Sequence, residues 1–129
     1  MFANSKAFSG FAVDDVEAAQ RFYGETLGLA ATIIDEGNHL MQLDLAGDTT
    51  VLVYGQPDHA PATYTVLNFP VDDVDAAVDG LVARGVQMLR YDGFEQDAKG
   101  IARGRGPDIA WFTDPAGNIL SVLSSQDIQ

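Results

Sequence analysis

Apolar and polar positions along the chain fall into two similar cycles. Residues 7–13 form an apolar, strand-like run. Beyond it Val16, Ala19, Phe22, Tyr23 and Leu27 recur at helical spacing, and Gly28 closes the stripe. The cycle restarts with a second apolar run at 64–71, followed by Val74, Ala77, Leu81 and Val82 on one helical face and Gly85 as terminator. The junction between strand and helix is nearly the same heptapeptide in both. Val13-Asp14-Asp15-Val16-Glu17-Ala18-Ala19 returns as Val71-Asp72-Asp73-Val74-Asp75-Ala76-Ala77, with six of seven positions identical. Asp14 and Asp72 are the expected N-caps, and Glu17 lies three residues beyond Asp14, as in a capping box. These acids therefore read as helix starts rather than as catalytic groups.

Each helix has room for three more strands behind it. In the first half they are expected at 29–35 and 39–45, joined through Glu36-Gly37-Asn38, and then after Gly47. In the second they are expected at 86–91 and 107–113, joined by a longer loop, and then after Gly117. Ala46-Gly47-Asp48-Thr49-Thr50-Val51-Leu52-Val53 aligns without a gap to Ala116-Gly117-Asn118-Ile119-Leu120-Ser121-Val122-Leu123, a turn and then a strand in both. The pattern predicts an α+β fold: a single domain, 1–129, of two βαβββ modules, 6–55 and 63–125. The segment 56–62, with Pro57 and Pro61, is the linker. Paired within the chain or across a dimer, two such modules can close a curved eight-stranded cup with helices outside.

Charge narrows the partners. The chain has 129 residues, 7 basic and 19 acidic, for a net charge of −12. Nucleic acid and anionic membrane surfaces are poor matches, because phosphates would be repelled before specific contact. Cysteine is absent, which removes disulfides, thiolate metal sites and a cysteine nucleophile. The opening residues lack the apolar run of a signal peptide, and no stretch approaches the roughly 20 apolar residues of a membrane span. The expectation is a cytoplasmic protein.

The order of these pieces resembles the vicinal oxygen chelate superfamily of glyoxalases, extradiol dioxygenases, and bleomycin- and fosfomycin-resistance proteins. The resemblance rests on Phe11-Ala12-Val13-Asp14-Asp15-Val16-Glu17-Ala18-Ala19 running into Phe22-Tyr23 and Leu27-Gly28-Leu29. It rests also on Trp111-Phe112-Thr113-Asp114-Pro115-Ala116-Gly117-Asn118, similar to the family's closing F-x-D-P-x-G-N turn. It implies a cup-shaped sheet with the ligand or metal inside. In the family's metal enzymes a first-strand His lies seven residues before the helix-entry Asp, and a last-strand Glu four residues after the turn Gly. Here those positions hold Phe8, Val66, Val51 and Ser121. None is a good donor for a divalent cation, and a shift of one residue, to Ser9, Leu67, Leu52 and Val122, finds no ligand set either. His39 and His59 occupy neither kind of position. No metal and no other cofactor is expected, and no catalytic set is evident.

Strand alternation then gives the side chains expected to line the cup. Phe8, Val51, Val66, Asn68, Trp111, Thr113 and Ser121 form the candidate ligand-binding set, an apolar and aromatic surface with a few polar handles. Residues 92–106 add Lys99, Arg103 and Arg105 among four glycines. This loop either covers the pocket mouth and attracts an anionic group or is a solvated hairpin whose cations meet nearby acids, and the acidic composition favours the second. The function that follows is metal-free binding of a small apolar or aromatic ligand by a homodimer, with a cationic drug as a special case. Two alternatives stand beside it: a glyoxalase- or dioxygenase-like enzyme with a non-standard metal site, and a non-catalytic dimerising module with a filled cup.

Overall fold

A computed structural model describes residues 1–93, 95–104 and 106–125. The chain divides into two compact units, Met1–Ala60 and Pro61–Gln129, with the boundary inside the proline-flanked segment 56–62.

The first unit runs β1 (Ser9–Val13), α1 (Val16–Arg21), a π-helical turn (Phe22–Thr26), β2 (Ala30–Asp35), β3 (Leu40–Leu45) and β4 (Thr49–Gly55). Its four-stranded sheet has the order β1-β4-β3-β2, with β1 parallel to β4 and the other pairs antiparallel. The N-cap of α1 is Asp15, one residue later than expected. Asp15 has extended backbone, and its carboxylate accepts the N–H groups of Glu17 and Ala18 at 3.0 and 3.1 Å. Phe11, Val13, Met41, Leu43, Val51 and Val53 are buried with Ala19 and Tyr23, and the Phe11 and Tyr23 rings meet at 5.9 Å. This is the helix-side core. The period of two along β1, β3 and β4 puts it there.

The second unit repeats the plan with β5 (Thr65–Val71), α2 (Val74–Ala83), β6 (Ile109–Thr113) and β7 (Ile119–Ser124). The sheet order is β5-β7-β6, with β5 parallel to β7. Asp73, not Asp72, caps α2 through the Ala76 N–H at 3.0 Å, while Asp72 accepts from the Ser125 hydroxyl at 3.2 Å. Phe69 holds the repeat position of Phe11. Strand pairing puts Val122, Leu120, Ala110 and Phe112 on its face, and α2 packs there through Val74, Val78 and Leu81.

The strand expected at 86–91 is reduced to one bridge, Met88 with Phe112, plus a Leu89 N–H bond to the Trp111 carbonyl at 2.8 Å. The reason is local. Gln96 takes over pairing that a strand would supply. Its Nε2 donates to the Leu89 and Gly100 carbonyls at 3.1 and 2.7 Å, and its Oε1 accepts from the Tyr91 N–H at 2.8 Å. No helix among the described residues is long and apolar enough to cross a membrane.

Candidate functional site

The second unit gathers four of the seven expected residues on one sheet face. Trp111 pairs with Ser121, and Ser121 with Asn68, so the three lie in a row across β6, β7 and β5. Thr113 and Ile119 form the next row and Thr65 pairs with Ile119, while Val66 falls at a shift of register between Thr65 and Leu67 that breaks the alternation. Ser121 is fully buried and donates its hydroxyl to Asn68 Oδ1 at 2.6 Å. Trp111 and Thr113 are half-buried, and Asn68 is exposed. That satisfied pair gives the face a fixed polar point beside an indole, in a setting that is otherwise apolar.

Tyr91 joins this face without having been foreseen. Its ring meets Trp111 edge-on, with centroids 5.3 Å apart, and burial pushes its phenol above the usual range, so it is neutral at physiological pH. A continuous strand at 86–91 would have hidden the role of this position. Gln96, whose carboxamide has a backbone partner on each side, holds Tyr91 there, a role that no pattern in the sequence marks. Gln96→Leu is expected to release Tyr91 from Trp111. The near-ultraviolet circular dichroism of the chain's one tryptophan should weaken, with a melting temperature a few degrees lower, in line with about 1–2 kcal/mol for lost side-chain hydrogen bonds.

The two residues expected from the first unit stand differently. Phe8 precedes β1 and is 66% exposed. Val51 is a correction. It pairs with Ser9 and Leu43 and is buried in the helix-side core, on the face opposite Gly10 and Leu52. Leu52, opposite Gly10, is the residue that corresponds to Ser121. The gapless alignment failed because the turn glycine lies one residue further from the matching strand position in the first unit, five before Leu52 against four before Ser121. Gly47 and Asp48 both adopt left-handed backbone (φ 82° and 59°), whereas Gly117 does so alone (φ 88°) in the second.

Register, for Leu52 and Ser121, and repeat position, for Phe8 and Val66, give the side chains that stand where the superfamily's metal enzymes carry ligands. They are Phe8, Leu52, Val66 and Ser121, three hydrocarbons and a hydroxyl already committed to Asn68. These do not fit a divalent ion. Among the described residues no group of three or more His, Asp or Glu side chains is placed to hold one. His39 is exposed with left-handed backbone (φ 54°), and His59 is half-buried.

The basic loop resolves into ion pairs within the second unit. Arg103 reaches Asp75, Asp97 and Asp108 at 3.0, 3.1 and 2.7 Å, and Lys99 reaches Asp79 at 3.1 Å and Asp75 at 3.6 Å. Arg105 lies outside the described residues. The Arg103 guanidinium holds the Asp75 carboxyl below the usual carboxylate range. Desolvation pushes Asp97 up, but the Ile101 and Lys99 N–H groups and Arg103 outweigh it, and the net shift is downward. Depressed carboxylates contribute stability above their unfolded pKa and lose it as pH falls through the folded value. The loop is therefore expected to loosen below about pH 4, and at neutral pH in high salt, with faster amide exchange at 97–103 and little change in the β7 amides. Equal exchange at pH 3 and pH 7, after correction for intrinsic rates, would contradict this.

A sequence profile described as Glyoxalase/Bleomycin resistance protein/Dioxygenase superfamily matches residues 7–122. The chain belongs to that superfamily. Solved structures of the superfamily's kind match almost end to end. An antibiotic-binding protein from Streptomyces sp. CB03234 is 28% identical, with TM-score 0.67, covering 94% of this chain and 97% of that one. A glyoxalase/bleomycin resistance protein from the same source is 29% identical, with TM-score 0.61, covering 92% and 100%. A lactoylglutathione lyase from Agrobacterium tumefaciens, at 22% identity and TM-score 0.67 over 95% and 96%, shares the fold. Among curated proteins none matches. Membership of the glyoxalase/bleomycin-resistance superfamily agrees with the α+β architecture of the two units. It leaves the chemistry to the residues on the sheet.

Proposed function

We propose that this superfamily member is a metal-free binding protein for a small aromatic molecule, held on the sheet face that carries Trp111. One observation carries the reading. Trp111, Tyr91, Ser121, Asn68 and Thr113 converge on a single face, while the positions that would hold a metal are hydrocarbon or already hydrogen-bonded. An indole edged by a phenol offers a flat surface to a planar ligand, and Asn68 offers its exposed amide as a directional partner. The antibiotic-binding relative supports a small-molecule ligand. A charge of −12 suits a cationic compound by long-range attraction. The reading includes two modules at 6–55 and 63–125 joined by 56–62, and a cytoplasmic homodimer, expectations that rest on the repeat, the composition and the family resemblance.

The test is a thermal-shift and calorimetric screen of planar aromatic compounds, cationic and neutral, with metal analysis of protein purified without chelator. The expected result is a saturable ligand that raises the melting temperature by mass action in metal-free protein. Stoichiometric divalent metal that is required for ligand binding would overturn the reading in favour of a metal enzyme. Failure of every compound to bind would favour a module without a ligand.

A further inference from the structure

Two sets of bonds hold the small hairpin 96–102, and they lead to opposite faces of the second unit. The hairpin is closed by the Gln96–Ala102 bridge and tied to β6 by the Ala102–Ile109 bridge. On the α2 side, Arg103 spans three carboxylates. Its Nη2 donates to both Asp75 oxygens at 3.0 Å and lies 3.1 Å from Asp97 Oδ2. Nε donates to the same Asp97 oxygen at 3.2 Å, and Nη1 to Asp108 Oδ2 at 2.7 Å. Asp75 is in the first turn of α2, Asp97 in the hairpin, and Asp108 immediately before β6. One guanidinium thus joins a helix, a hairpin and a strand end.

The other set of bonds runs to Tyr91. The Asp97 carboxylate that Arg103 grips also shapes the hairpin, because its Oδ1 accepts the Lys99 and Ile101 N–H groups at 2.9 Å. From the hairpin, Gln96 reaches the Tyr91 N–H and the Leu89 carbonyl. Arg90 reaches back, its Nη2 donating to the Asp97 and Ala98 carbonyls at 2.6 and 2.8 Å. These bonds fix the backbone from which the Tyr91 ring meets Trp111 edge-on. The ion pairs are the part of this chain most open to water. Their side chains are 36–46% exposed, so dissolved ions screen them, while the ring contact and the uncharged hydrogen bonds are little affected. We propose that Arg103 is a positioning residue, an ionic latch on the α2 side that keeps Tyr91 against Trp111. Ionic strength then sets how far the indole is covered. Any consequence for ligand affinity rests on the proposed function, whereas the latch belongs to the ligand-free chain.

Acrylamide quenching of the single tryptophan reads the latch without a ligand, and the quencher is uncharged, so salt acts on the protein alone. Tyr91→Leu sets the scale, since it removes the ring that covers the indole edge. Raising sodium chloride from about 0.01 to about 1 M shortens the screening length from about 30 to about 3 Å. In the parent this should carry the quenching constant at least about halfway to the Tyr91→Leu value, as screening of the pairs implies. Arg103→Gln should stand near that value at low salt and lose most of the salt response, with unchanged far-ultraviolet circular dichroism. Asp75→Asn, which frees only the helix end of the latch, should fall between. Arg84→Gln removes a cation at the far end of α2 and should behave as the parent. A quenching constant indifferent to salt, an Arg103→Gln variant matching the parent at low salt, or a salt response that persists in Tyr91→Leu would each overturn the proposal. If Arg103→Gln does not fold, the salt titrations of the parent and of Tyr91→Leu decide. A working latch in a protein that binds no aromatic compound supports the role of Arg103 and counts only against the proposed function.

Discussion

Trp111→Ala is expected to weaken binding of an aromatic ligand by at least about tenfold while leaving the protein folded. The indole is half-buried on β6, and its neighbour in sequence, Phe112, carries the packing on the opposite face at 1% exposed. Removing Trp111 deletes a ligand surface and the edge-on contact with Tyr91. It leaves the pairing of β6 with β7, which is made by backbone, and the α2 core in place. Loss of a stacking surface against an aromatic ring is worth about 0.5–1.5 kcal/mol beyond its area, and the lost area adds to that, which together give at least about tenfold. Calorimetry with the best ligand from the screen gives the affinity, and thermal unfolding gives the stability. A fall in melting temperature that fully accounts for the lost binding would instead make Trp111 a core residue.

Asp114→Ala should be the most damaging single change outside the apolar core, by about 2–4 kcal/mol. Asp114 and Asn118 are 4% and 1% exposed at the turn between β6 and β7. Asp114 Oδ1 accepts the Asn118 backbone N–H at 2.8 Å, and Oδ2 accepts the Asn118 side-chain amide at 3.1 Å. Alanine would leave both donors buried with those acceptors gone, at about 1–3 kcal/mol for each group that finds no substitute. The backbone pair Asp114–Asn118 and the left-handed Gly117 would remain, so the turn weakens without vanishing. Asp114→Asn keeps one acceptor and should cost clearly less. Chemical denaturation of the two variants checks the order, and equal stability of Asp114→Ala and the parent would contradict it.

These two residues show what kind of information the sequence carries. The D-P-x-G-N run was readable as a turn because its chemistry is local, with acceptor, ring, left-handed position and amide within five residues. The repeat of strand and helix was readable for the same reason, and it located α1 and α2 to within a residue or two. Registers between strands were less secure. One additional left-handed residue, Asp48, moved Val51 from the expected ligand face into the core and put Leu52 in its place, because a one-residue slip reverses every side chain. Tyr91 was invisible for a different reason. Its position depends on Gln96 closing hydrogen bonds to three backbone groups, a tertiary substitution for strand pairing that no period in the sequence signals. On the second sheet, by contrast, Asn68, Trp111, Thr113 and Ser121 followed simple alternation from Phe69 and Phe112 and reached one face.

The single tryptophan makes the decisive measurement direct. Titration of Trp111 fluorescence with a ligand taken from the thermal-shift screen should show a saturable change that reaches its limit at one ligand per Trp111-bearing face. Asn68→Ala should shift that curve to higher concentration. A ligand that binds by calorimetry yet leaves the emission of Trp111 unchanged, with an affinity indifferent to Asn68→Ala, would place binding elsewhere and contradict the account.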